Sequence, residues 1–95
     1  MAVLLNNADT DQSETLTTTG SQKVLILRAD DFGGATVEIS IAAPSDPSER
    51  YHILSGGSFI SADEVRIDFL PAGVKLKAEL TNATGTTNNV FVEVL

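Results

Sequence analysis

The stretch Thr36-Val37-Glu38-Ile39-Ser40-Ile41 alternates polar and apolar side chains with a period of two. Because successive side chains of a β-strand point to opposite faces, this pattern predicts a strand with its valine and isoleucines turned to a core and its polar residues turned to water. The same alternation recurs in three later segments, Glu64–Phe69, Val74–Leu80 and Asn89–Val94. No window of eleven or more residues carries an apolar stripe at helical spacing, so the sequence predicts an all-β protein.

The remaining segments complete this prediction. In Glu64–Phe69 the alternation turns Val65, Ile67 and Phe69 inward, and Val24–Leu27, apolar on both faces, is typical of a central strand covered on both sides. Weaker strand candidates are Ala2–Leu5, Thr15–Thr18, Arg50–Leu54 and Ser58–Ile60. Turn-forming residues separate the segments, Ser55-Gly56-Gly57 among them. We therefore predict one domain, residues 1–95, folded as a single antiparallel β-sandwich of about eight or nine short strands, with a jelly-roll-like arrangement as one option and residues 1–20 as a candidate N-terminal arm.

Composition limits the function classes. The 95 residues include no cysteine, which excludes disulfides and thiolate chemistry, and 13 acidic against six scattered basic residues give a formal charge of −7. This charge disfavours nucleic acid and membranes as partners, because both attract basic surfaces. The N-terminal segment has neither the basic residues nor the apolar length of an export signal, so we expect a protein made in the cytoplasm and not exported by that route.

Catalytic and metal-binding patterns are incomplete. His52 is the only histidine, and a lone histidine without cysteine cannot build the usual zinc site. The neighbouring carboxylates Asp30-Asp31 and Asp63-Glu64 would point to opposite faces of a strand, so we do not expect them to converge as an acid–base pair. Asp9–Ser13 resembles the start of a calcium loop, but the later glycine and glutamate of that loop are absent. We predict no enzyme activity, no cofactor and no metal site.

The apolar chain ends indicate contacts. Met1–Leu5 and Val90–Leu95 place hydrophobic residues where chains normally fray, so these ends are held either by the domain's own sheet or by a neighbouring chain. Phe32 and Phe59, each near glycine, are the best candidates for exposed aromatic rings. The residues predicted to contact a partner are Val3, Leu4, Leu5, Phe32, Phe59, Phe91 and Leu95.

The C-terminal part of the chain resembles a known protein family, and this resemblance implies what kind of partner these residues contact. Val65–Thr81, with Leu70-Pro71-Ala72-Gly73 closing a strand, resembles the final hairpins of small β-sandwich structural proteins from tailed-bacteriophage virions, such as head decoration or cement proteins. It covers about a third of the chain if the Gly/Thr/Asn turn and the last strand are included. The resemblance implies a non-enzymatic homo-oligomer, with a trimer as one form, that binds the major capsid protein or another virion protein in a particle assembled in the host cytoplasm. It carries over no site residues.

An alternative interpretation stays open. Pro-Ala-Gly turns also occur in carbohydrate-binding modules, so a carbohydrate-binding or adhesion β-sandwich is the competing hypothesis. Such modules stack a sugar ring on an exposed aromatic face, for which Phe32 or Phe59 would serve here.

Overall fold

The fold is seen in a computed structural model that describes residues 2–85 and 87–95, with only the backbone described for Ser55. Met1 of the candidate arm and Thr86 of the last predicted turn lie outside the described residues. Within these limits the chain forms eight β-strands: β1 (Ala2–Ala8), β2 (Gln12–Thr17), β3 (Val24–Arg28), β4 (Thr36–Ala42), β5 (His52–Phe59), β6 (Asp63–Arg66), β7 (Lys75–Thr81) and β8 (Val90–Val94). Among the residues described, none belongs to a helix long and apolar enough to cross a membrane.

The strands build two antiparallel sheets that pack face to face. Sheet A has the order β1-β8-β3-β6, and sheet B has the order β2-β7-β4-β5. Most consecutive strands therefore lie in opposite sheets, and the chain winds between the layers. This order is that of an eight-stranded jelly roll, which consists of two interlocked Greek keys. The predicted antiparallel β-sandwich is confirmed.

The core forms where the period-two pattern is strongest. In β4, Val37 and Ile39 are fully buried, and β7 and β8 alternate as predicted, with every second residue inside. Burying a Leu, Ile or Val side chain stabilises a fold by about 1.5–3 kcal/mol, so these strands supply much of the stability. The largest fully buried apolar side chains are Leu5, Leu25, Leu27, Val37, Ile39, Ile67, Leu76, Leu80, Val90, Val92 and Val94.

The N-terminal segment is part of this sandwich. β1 pairs with β8 in sheet A, β2 pairs with β7 in sheet B, and both Leu4 and Leu5 are buried. The other chain end is held in the same way, because the Leu95 N–H donates to the Val24 carbonyl over 2.8 Å. Residues 2–8 and 12–17 of the candidate arm are thus strands of the domain, which corrects the prediction of an arm and favours the own-sheet alternative.

β3 differs from its prediction on one face. It is central, between β8 and β6, and Leu25 and Leu27 are fully buried. Val24 and Ile26 are only partly buried, because no described element packs on the outer side of sheet A. The prediction of cover on both sides is wrong.

Phe69 is also placed differently. β6 ends at Arg66, and the Leu70 N–H donates to the Ile67 carbonyl over 3.0 Å, which closes a turn through Asp68 and Phe69. Phe69 is therefore 63% exposed, although Ile67 is buried as predicted and Val65 is partly buried. The alternation stops being informative where the chain leaves the strand.

The predicted turn at Ser55-Gly56-Gly57 is a bulge inside one long strand. β5 runs through it, and its pairing with β4 shifts register between Glu38 and Ser40. A Cβ at Gly57 would lie 2.7 Å from the carbonyl oxygens of Ile39 and Leu54, so only glycine fits there.

Candidate interaction surfaces

The outer face of sheet A is unusually apolar for a surface that no described element covers. The register places Val3 beside Glu93, Ile26 beside Glu93, and Leu95 beside Val24. Val3 is 47% exposed and Leu95 is 39% exposed. On the same face, the guanidinium of Arg28 lies 4.5 Å from the centre of the Phe91 ring. We call Val3, Val24, Ile26, Phe91 and Leu95 the apolar face.

The outer face of sheet B has the opposite character. Its central strand β7 presents Lys75, Lys77 and Glu79, which lie opposite polar residues of β2, whereas on the β4 side Lys75 lies opposite Ala42. Lys77 lies over the ring of Tyr51, with its Nζ 4.7 Å from the ring centre. A charged face of this kind is typical of a sheet surface in water. Ile53 of β5 lies opposite Ser40 on this face and is 51% exposed, so the contrast between the two outer faces lies in their central strands.

A groove lies at one open edge of the sandwich, where β5 and β6 are the last strands of their sheets. Its volume is about 440 Å³, and we call it the edge groove. Its apolar part comes from Leu54, Phe59, Val65 and Phe69. The other lining residues are Gly56, Asp63, Glu64 and Arg66, so all of β6 faces it.

The charges beside the groove are partly paired. Nη2 of Arg66 lies 2.8 Å from Oδ2 of Asp68. This hydrogen bond is the main reason that the pKa of Asp68 lies below its ordinary value. Both side chains are largely exposed, so the pair contributes little to stability. Because Asp68 is paired with Arg66, the negative groups that line the groove are Asp63 and Glu64.

A buried asparagine fixes the loops at one end of the sandwich. Asn88 is fully buried, and its Oδ1 accepts hydrogen bonds from the N–H and the Oγ1 of Thr84, over 2.7 and 2.9 Å. Its Nδ2 donates to the carbonyls of Asp31 and Phe32, over 2.8 and 3.0 Å. The Asn88 side chain thus links the β3–β4 loop to the β7–β8 loop. Sequence reasoning missed this residue because Asn88 stands in a polar turn where an asparagine is ordinary.

The residues with catalytic or metal-binding chemistry stay apart. His52 is exposed on β5, and the carboxylates of Asp9 and Asp11 accept the backbone N–H groups of Asn89 and Ala83, each over 2.8 Å. Asp30 accepts a hydrogen bond from the side chain of Asn89. In residues 2–85 and 87–95, no group of three or more histidines and acidic residues is arranged to hold a metal ion. These acidic side chains serve as loop anchors.

Two ion pairs lie at the opposite end, and one side chain of each pair is partly buried. Arg50 bonds the carboxylate of Asp46, with Nε 3.0 Å from Oδ2, and this bond is the main reason that the Asp46 pKa lies below its ordinary value. Glu49 bonds Lys75 and raises the lysine pKa. Both pairs hold the β4–β5 loop, and neither is directed into a cleft.

The seven predicted contact residues divide into four groups. Val3, Phe91 and Leu95 lie together on the apolar face, and Phe59 lines the edge groove. Leu4 and Leu5 belong to the core, so their apolar area is already buried. Phe32 packs partly against the core in the β3–β4 loop. Contact of any of these residues with another chain stays a prediction.

Comparisons of this chain with protein-family models, with curated proteins and with solved structures found no match.

Proposed function

We propose that the chain is a non-enzymatic structural protein of a virus particle, specifically a capsid decoration or cement protein of a tailed bacteriophage. It binds the major capsid protein or another virion protein through the apolar face. The observation that supports this most is the contrast between the two outer faces. Sheet A exposes Val3 and Leu95 beside partly buried apolar neighbours, whereas sheet B presents mainly lysine, glutamate and threonine, with Ile53 exposed on its edge strand β5.

The apolar face has the composition of a protein–protein interface. Such interfaces have an apolar centre, and their rim is polar. Here Glu64 lies beside Ile26 and Arg28 beside Phe91 at the margin, whereas Glu93 lies between Val3 and Ile26 within the face. Burial of apolar area gains about 25 cal/mol per Å², so covering this face with a partner is favourable. The fold supports the proposal only generally, because jelly rolls occur in capsid proteins and in lectins alike.

The test uses particles of the virus that carries this sequence. In density-purified particles, we expect the chain in a near-stoichiometric ratio to the major capsid protein by quantitative mass spectrometry. Val3→Lys should reduce the bound amount about tenfold or more, because it places a charge on the apolar face. Folding should be unaffected, since the new lysine lies opposite Glu93 on β8.

Thr15→Glu is the matched control. Thr15 is exposed on sheet B opposite Lys77, so this variant also adds a charge facing an opposite charge. It should bind particles like the unmodified chain. Absence of the chain from purified particles, or equal binding by both variants, would contradict the proposal.

A carbohydrate-binding or adhesion module is the second candidate, and the edge groove favours it. Phe59 and Phe69 line the groove with Asp63, Glu64 and Arg66, which are aromatic and charged groups that can contact sugar rings and hydroxyls. On a glycan array, this hypothesis expects binding that Phe69→Ala reduces at least about tenfold. Ile60→Ala, which removes another exposed apolar side chain, should have no effect. An array without binding would exclude the glycans that it carries.

A further inference from the structure

In the described part of the chain, four edge strands end the two sheets, and they differ as templates for another strand. β1 has register shifts at two places and β5 has one, so neither offers a regular edge. β2 is regular, but it carries mainly polar, exposed side chains. β6 is regular through all of its residues, and it is the strand that lines the edge groove.

The backbone of β6 is oriented to pair with a further strand. The Ile67 N–H donates to the Lys23 carbonyl over 3.0 Å, which continues the register that pairs Val65 with Leu25. Since hydrogen-bonding direction alternates along a strand, Val65 directs its backbone groups to β3 and Glu64 and Arg66 direct theirs to the free edge. The Glu64 N–H confirms this direction, because it donates to Oδ1 of the neighbouring Asp63 over 2.8 Å instead of to β3.

We propose that β6 pairs with β6 of a second copy of this chain, antiparallel and about a two-fold axis at Val65. In this register, Val65 faces the partner's Val65, and Glu64 faces the partner's Arg66 on the outer side of the sheet. Residues directly opposite each other in an antiparallel pair lie on the same face of the sheet. In this register, Glu64 and the partner's Arg66 are both on the outer face, and the two Val65 side chains are both on the inner face. The free backbone N–H and C=O of Glu64 form hydrogen bonds with those of the partner's Arg66. The two-fold symmetry forms the same bonds between Arg66 and the partner's Glu64.

Charge complementarity supports a second copy as the occupant. Two Glu64–Arg66 pairs form across the axis, and self-complementary pairing is what a two-fold interface requires. On the inner side, the Val65 side chain at the edge groove gains the partner's Val65 as an apolar neighbour. The Asp63 carboxylate gives up the Glu64 N–H to a carbonyl of the partner. The dimer would join two A sheets into one and set two apolar faces side by side.

A charge-exchange experiment tests the register. Sedimentation velocity from micromolar to millimolar concentration should show a monomer–dimer equilibrium for the unmodified chain. Glu64→Arg and Arg66→Glu should each raise the dissociation constant at least about tenfold, because both cross-axis pairs become like-charged. An equimolar mixture of the two single variants should dimerise again, since every cross-axis pair is then Arg with Glu. The double variant E64R/R66E should also dimerise.

Asp68→Asn is the matched control, because it removes the ion pair of Arg66 within the chain and leaves the cross-axis pair intact. It should dimerise at least as tightly as the unmodified chain, and circular dichroism should show all variants folded. The dimer needs no virus particle, so this result is independent of particle binding. A chain that stays monomeric at millimolar concentration, forms a trimer, or shows no recovery in the mixture would overturn the proposal. Pairing of β6 with a basic peptide instead would leave the chain monomeric and would overturn it as well.

Discussion

Replacing Asn88 by alanine is expected to lower the free energy of unfolding by about 2–5 kcal/mol. The side chain is fully buried, and it makes four hydrogen bonds to Thr84, Asp31 and Phe32. Without it, the Thr84 N–H and the Asp31 carbonyl lose this partner, whereas the Phe32 carbonyl keeps the hydrogen bond that it accepts from the Ala35 N–H. An unsatisfied buried polar group costs about 1–3 kcal/mol, and two are created at once. Urea denaturation followed by circular dichroism measures the change.

Asn6→Ala is the matched control, because Asn6 is an exposed asparagine of β1. It should change the free energy of unfolding by no more than about 0.5 kcal/mol. Asn88→Asp should be at least as damaging as alanine, since it replaces the Nδ2 donor by an oxygen facing two carbonyl oxygens. Equal denaturation midpoints for Asn88→Ala and Asn6→Ala would show that water takes over the four bonds.

The sequence predicts the strands well where one face is buried and the other is wet. β7 and β8 have this alternation throughout, and β4 has it through Ile39, but Ser40 is buried where a residue turned to water was expected and Ile41 is only partly buried. The errors arise where the local sequence pattern does not show where a strand ends or how it pairs with its neighbours. Phe69 continues the alternation of β6 but lies past the end of the strand, and the glycines of β5 form a bulge because β4 pairs on both sides of them.

The candidate surfaces are less predictable, because they combine distant parts of the chain. The apolar face draws on β1, β3 and β8, and only the register places Val3, Ile26 and Phe91 on one side of sheet A. The sequence identified Val3, Phe91 and Leu95 from their position at the chain ends, but it assigned Leu4 and Leu5 to the same role. Leu4 faces the core by ordinary strand alternation, whereas Leu5 is turned inward by the register shift between Val3 and Leu5, which no residue type in the segment reveals.

Leu5→Ala is expected to destabilise the fold by about 2–5 kcal/mol, the cost of a Leu-to-Ala change that leaves a cavity in a packed core. Leu5 is fully buried, and it pairs with Val92 in sheet A. Because a domain of this size is stable by only about 5–15 kcal/mol, one such change removes a large share of the total. Thermal and urea denaturation measure it.

Val3→Ala changes a residue two positions earlier in the same strand. Comparing it with Leu5→Ala distinguishes two roles of β1: a strand of the core, or an arm that contacts another chain. Val3 is 47% exposed, so its truncation should cost less than about 1 kcal/mol in the isolated chain. Its effect should appear instead as weaker particle binding, because the apolar face loses area that only a partner covers. An arm would give the reverse result for Leu5, with an unchanged denaturation midpoint and lost binding. A stable Leu5→Ala variant would therefore mean that β1 is not held by β8 in the way the register requires.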